Sequence, residues 1–186
     1  MKKFAVIAAL LTLAATEARA QVFSPTFQAP YASSDVGLYV SDFEDELGIE
    51  GILRRNMGTY DLGLRLGFAD DAVLLGADLR NPLSIAATAP LGLALTFGGQ
   101  AALGDANFFG AQAGLSVGYA FRSPELTVTP YIHPRVALLF GDVPDETLDV
   151  RADLGVDVEF RPSLVLRFGA NLGDGADYGI GLAVRR

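Results

Sequence analysis

Thr147-Leu148-Asp149-Val150-Arg151-Ala152-Asp153-Leu154-Gly155-Val156-Asp157-Val158-Glu159-Phe160 alternates a polar or small residue with an apolar one through its whole length. A β-strand turns successive side chains to opposite faces, so this stretch builds one apolar face and one polar face. A 3.6-residue helix would scatter the same residues around its circumference. The pattern recurs upstream. Leu62, Leu64, Leu66 and Phe68 interleave with Asp61, Gly63, Arg65 and Gly67. Val73, Leu75, Ala77 and Leu79 interleave with Leu74, Gly76, Asp78 and Arg80, and Leu91, Leu93, Leu95 and Phe97 with Gly92, Ala94, Thr96 and Gly98. No segment after residue 20 carries a helical period. The chain is all-β.

Turn-forming residues divide it into expected strands over 35–41, 48–56, 59–69, 72–80, 84–98, 109–121, 126–140, 147–160, 163–172 and 176–185. Ten is an even number, as up-and-down closure in an outer membrane requires, and tilted strands of roughly 9–11 residues cross a bilayer. The expected fold is an up-and-down antiparallel transmembrane β-barrel over residues 35–186. An eight-stranded version that leaves 21–56 outside the wall is the alternative. Residues 21–34, with Pro and Ser and no period, are expected to form an N-terminal tail or small plug. Pro90, Pro130 and Pro134 fall inside expected strands, where a missing N–H suggests bulges or a late start to pairing.

Which face points outward follows from composition. Glycine crowds the non-apolar face at Gly63, Gly67, Gly76, Gly92, Gly114, Gly118, Gly155, Gly169, Gly179 and Gly181, as the inner wall of a narrow barrel needs. The apolar face is nearly free of charge, as lipid contact demands. Aromatic residues on that face (Phe68, Phe97, Phe109, Phe121, Phe140, Phe160, Tyr178) fall near expected strand ends, like interfacial girdles. A soluble carrier barrel would invert the faces and enclose a ligand with the leucines.

The first twenty residues have a basic start at Lys2-Lys3, an apolar run from Phe4 to Ala15 and a small-x-small site at Ala18-Arg19-Ala20. They read as an export signal cleaved after Ala20. The 14 basic residues, less Lys2, Lys3 and Arg19, leave 11 Arg; the 22 acids, less Glu17, leave 21, a net charge of −10. That balance excludes a nucleic-acid partner. With no Cys, disulfides, thiolate metal sites and cysteine catalysis are excluded. With the N-terminus in the periplasm, the external loops are 42–47, 70–71, 99–108, 141–146 and 173–175, all acidic. The opposite turns (Asn56-Met57-Gly58, Asn81-Pro82-Leu83, Arg122-Ser123-Pro124-Glu125, Arg161-Pro162) have Arg54, Arg55, Arg80, Arg122, Arg161, Arg185 and Arg186 at or beside them.

The signal peptide, the dyad repeat and the last segment Tyr178-Gly179-Ile180-Gly181-Leu182-Ala183-Val184 resemble the small bacterial outer-membrane β-barrel superfamily of the outer-membrane protein A or X type. The resemblance implies a monomer in the outer membrane, contacting its lipid and inserted by the barrel-assembly machinery through the C-terminal strand. Arg185-Arg186 stands where that family ends on an aromatic residue.

Parity turns Asp61, Arg65, Asp78, His133, Arg135, Asp149, Arg151, Asp153, Asp157, Glu159 and Arg167 inward. Barrels of this strand number have interiors little wider than side chains can fill, so these groups are expected to form a lumen-lining charged network. Arg151, flanked by Asp149 and Asp153, is expected to pair with wall carboxylates. A narrow pore lined by the same groups is the second reading, mildly cation-preferring because acids outnumber arginines in the set. His133 has no spacing that suggests a nucleophile, so no catalysis is expected. The clusters at 42–46 and 142–146 match no calcium-loop spacing, and Gly98-Gly99 has no phosphate-loop context, so no metal or cofactor is expected.

Overall fold

In the computed structural model, the described residues are 25–43, 46–69, 72–83, 90–105, 107–142, 147–160, 163–172 and 178–186. The strands are β1 (Asp35–Phe43), β2 (Glu46–Asn56), β3 (Asp61–Ala69), β4 (Ala72–Leu83), β5 (Leu91–Leu103), β6 (Asn107–Tyr119), β7 (Phe121–Arg122), β8 (Leu126–Gly141), β9 (Thr147–Phe160), β10 (Leu164–Leu172) and β11 (Tyr178–Arg185). Each pairs antiparallel with its chain neighbour, except that β6 and β7 do not pair with each other but both pair with β8, and β1 pairs β11 to close the ring. The two-residue β7 continues β6 in the same register, so the wall has ten staves. The eight-stranded alternative is overturned: β1 and β2 join β11 to β3, and the ring cannot close without them.

Pro130 and Pro134 produce no bulge. The β6–β8 register is the same on both sides of them, with partners missing only near each proline, and pairing to β9 continues through both. The missing N–H therefore interrupts one ladder without displacing the strand. Around Pro82 and Pro90 the expected boundaries move. Asn81, Pro82 and Leu83 are no turn; they pair with Leu95, Ala94 and Leu93. β4 has no β3 partner beyond Arg80, so Pro82 sits where only one neighbour needs bonds. The expected loop 99–108 is likewise mostly strand, since Gly99 pairs with Ala111 and Leu103 with Asn107. Small residues there mimic a loop signal while supplying inner-wall space.

The surface is inside-out relative to a water-soluble domain. Leu38 is 71% exposed, Leu148 72% and Val150 76%, while Arg54, Arg80, Arg167 and His133 are each 1% exposed. Such a distribution suits hydrocarbon outside and a polar filling within. It removes the soluble-carrier alternative, because the leucines do not line a cavity. At the end holding Asp35 and Arg185, here the terminal end, Tyr60, Tyr119, Phe121 and Phe160 are exposed on the exterior. Phe68, Phe109, Phe140 and Tyr178 occupy the far end, with Phe109 and Phe140 stacked at 5.9 Å. Phe97 is an exception to the expected girdle, standing mid-strand opposite Leu79 and Ala113. The basic rim is also thinner than expected. Arg55, Arg122 and Arg186 are exposed, but Arg54 and Arg80 point into the lumen. Arg161 and Pro162 lie outside the described residues.

Candidate functional site

The chain before β1 enters the barrel. Residues Pro25 to Pro30 are all buried, with Thr26 and Phe27 fully so. Glycines on the inner wall make this possible, because a Cβ at each would collide with the segment. At Gly169 it would stand 2.7 Å from Pro25 Cγ, at Gly179 2.7 Å from the Phe27 ring, and at Gly92 2.8 Å from Tyr31. Gly118 clears Pro30 in the same way. Two wall aromatics use the same device: Tyr39 lies over Gly37 and Gly181, and Tyr131 over Gly155. The glycine-rich face is therefore a set of sockets for inward-pointing rings and for the segment 25–34.

Polar clamps hold the segment at each level. Near the terminal end, Ser33 N–H donates to Asp61 at 3.1 Å, and Arg80 reaches the Ala29 carbonyl and the Ser33 hydroxyl. Tyr31 donates to the Pro90 carbonyl, and Arg122 lies 5.9 Å from its ring. Burial raises the Tyr31 phenol above its ordinary value, which keeps it a donor there. Further in, Gln28 donates to Asp78 at 2.7 Å, and Ser116 donates to the Gln28 carbonyl. Thr26 Oγ1 bonds Asp153 and lies 2.8 Å from His133 Nδ1.

Wall-to-wall ion pairs fill the remaining section. Arg167 joins Asp35 of β1 at 2.8 Å and Asp157 of β9 at 3.1 Å, and also donates to Tyr39. Arg80 binds Asp61, Arg65 binds Glu50, and Arg54 reaches Asp78 at 3.2 Å. Arg135 spans Asp153 and Gln112. Glu159, half-buried, pairs with Arg185 at 2.6 Å. Of the residues expected to line the lumen, Asp61, Arg65, Asp78, His133, Arg135, Arg151, Asp153, Asp157 and Arg167 are buried, while Asp149 and Glu159 are partly buried. Asp35, Glu50, Arg54, Arg80, Tyr39, Tyr131 and Thr26 belong to the same network and were not in that set. Strand parity could have found Glu50 and Arg54, but Ile52 inward and Gly51 outward blur the alternation of β2.

Arg151 pairs with Asp149, whose side chain is 32% exposed, while Asp153 is taken by Arg135, His133 and Thr26. Its partner is therefore solvated, and Arg151→Ala is expected to cost about 1 kcal/mol or less. Reversible unfolding in lipid vesicles checks this; a loss approaching that of a fully buried pair would contradict it. The charge balance also changes the expected ion preference. Among the described residues six buried acids (Asp35, Glu50, Asp61, Asp78, Asp153, Asp157) face six buried arginines (Arg54, Arg65, Arg80, Arg135, Arg151, Arg167), and the part-buried Asp149 and Glu159 against Arg185 make eight acids to seven arginines, so the acid excess narrows to one.

Thr96, His133 and Asp153 stand in a relay. His133 Nε2 lies 2.7 Å from Thr96 Oγ1 and Nδ1 lies 3.3 Å from Asp153. The order resembles nucleophile, base and orienting acid. However, Asp153 is shared by Arg135 and Thr26, Thr96 is buried, and the segment 25–34 stands beside His133. The relay satisfies buried polar groups. No group of three or more possible metal ligands occurs among the described residues.

Fold and filling together define a closed transmembrane β-barrel with an occupied lumen. No family model matches the chain and no curated sequence matches it. Among solved structures it is similar to a designed transmembrane β-barrel, at 15% identity over 86% of this chain and 98% of that one, with a TM-score of 0.41. It is also similar to the KdgM porin (9% identity, 82% and 98% covered, TM-score 0.45) and the NanC porin (6%, 82% and 98%, 0.47).

Proposed function

We propose that the protein is an integral outer-membrane barrel, closed at rest, with a structural or surface-interaction role and no catalysis. The observation that carries this reading is the filled lumen inside an apolar exterior, with Phe27, Arg167 and His133 all at 1% exposure or less. A wall of this kind presents hydrocarbon-compatible side chains to lipid and offers no open aqueous path. Export through residues 1–20 with cleavage after Ala20, insertion by the barrel-assembly machinery through β11, and a monomeric state belong to the same reading. Surface interaction is supported by the exposed far-end acids Asp42, Asp105 and Asp142. The rest of the acidic clusters, at 44–45 and 143–146, and Gly173-Asp174-Gly175 lie outside the described residues.

The test is fractionation of the cell envelope followed by reconstitution in planar bilayers. The protein is expected in the outer-membrane fraction, with gel mobility that changes on heating and near-baseline conductance. Recovery in the soluble periplasmic fraction would refute the reading. So would a lipid-hydrolysing activity that is lost in His133→Ala.

A further inference from the structure

We infer that residues 25–34 are a removable stopper, and that withdrawing them opens a water-filled path for small ions and hydrophilic solutes. This rests on the membrane-barrel reading and adds a second state to it. Four observations carry it. First, the segment belongs to no ladder of the wall; apart from the Arg186 N–H donated to the Ser34 carbonyl at its attachment, its described contacts within the barrel are hydrogen bonds that involve a side chain and glycine sockets, which can part without breaking a strand. Second, the wall does not need it. Arg65–Glu50, Arg80–Asp61, Arg135–Asp153 and the Arg167 pairs run wall to wall and survive its departure.

Third, the filled state has unresolved costs. Phe27 holds φ at +52°, a region that disfavours side chains other than glycine's. Arg54 Nε and Nη1, Asp78 Oδ2 and Gln28 Oε1 are buried without hydrogen-bond partners among the described residues. These are strongly polar atoms, so a cleared lumen would present groups that bind water. Fourth, removing the segment uncovers glycine, not bulk. Gly92, Gly118, Gly169 and Gly179 would border an opening already lined by paired charges. Its far end is lined by Ser41, Gly48, Gly67 and Gly110 together with the apolar group of Ala69, Ala72, Leu74, Ala102 and Phe108, with Gly48 and Gly67 the ladder neighbours of Ala69 and Leu74. With eight acids against seven arginines, the path should favour small cations only slightly over anions.

The segment joins the wall at Ser34–Asp35, so it can swing out at the terminal end about that attachment. A disulfide lock tests the movement, since the chain has no Cys of its own. A Cβ at Gly169 stands 2.8 Å from Pro25 Cβ, close enough for a bridge after a small outward shift. In planar bilayers with potassium chloride, the oxidised Pro25→Cys/Gly169→Cys protein should stay at baseline. Reduction should raise its open probability at least about tenfold, and reoxidation should reverse this. A variant lacking residues 25–33 should conduct continuously if it inserts. Equal conductance in the oxidised and reduced forms, whether silent or open, overturns the stopper. Failure of both forms to insert into lipid vesicles counts instead against the membrane-barrel reading, so the two failures are distinguishable.

Discussion

Arg167→Ala is expected to be the most damaging truncation in the wall, lowering unfolding free energy in lipid vesicles by about 3–5 kcal/mol. Arg167 ties three strands together from β10, binding Asp35 on β1 and Asp157 on β9 while donating to the Tyr39 hydroxyl. Asp35 is also the residue at which the ring passes from the lumenal segment into β1. Removing the guanidinium leaves Asp157 buried without its cation and Asp35 with only the weaker field of Arg54, and that desolvation penalty dominates the loss. Arg167→Lys should recover part of it, because an ammonium is a single point charge and cannot fork between two acids. An unfolding midpoint unchanged in Arg167→Ala would mean that the lumen is hydrated enough to screen both acids.

The second large effect separates the two faces of β9. Leu154→Arg puts a cation on the lipid side near mid-strand and is expected to cost about 2–4 kcal/mol. One position on, Gly155→Ala adds a single methyl group but drives it into the Tyr131 ring, at a cost of about 1–3 kcal/mol. Leu154→Ala, which only thins the lipid-facing surface, should be far milder than Leu154→Arg. A one-residue slip of the strand would exchange these environments. Reversible unfolding of the variants is the check: a tolerant Gly155 together with a Leu154→Ala loss of core-like size would place the leucines inside.

Legibility in the sequence followed how strictly each strand alternates. β9 keeps the alternation through its whole length and its bounds match the reading, Thr147–Phe160. β4 and β5 do not, because Pro82, Pro90 and Gly98-Gly99 imitate turns while serving as a one-sided strand end, a strand entry and an inner-wall space. Many of the charged lumen residues were legible from parity alone, but Asp35, Glu50, Arg54 and Arg80 were missed. Tyr39 and Tyr131 were not legible, since an aromatic in a membrane strand suggests lipid contact until its glycine partners across the ladder are known. The contacts of residues 25–34 were the least legible part. Without a period, nothing in that segment states that Phe27 enters a socket between Gly169 and Gly179, more than 140 residues away along the chain.

On the membrane-barrel reading, the leucine stripe meets hydrocarbon all round a filled barrel. Its most direct test places one cysteine at a time at Leu38 on β1 and at Leu154 on β9. Each carries an environment-sensitive fluorophore, and the labelled proteins are reconstituted in vesicles. Both probes are predicted to be quenched by spin-labelled acyl chains and left unaffected by aqueous iodide. Quenching by iodide with no response to the lipid quencher, at either position, would contradict the account.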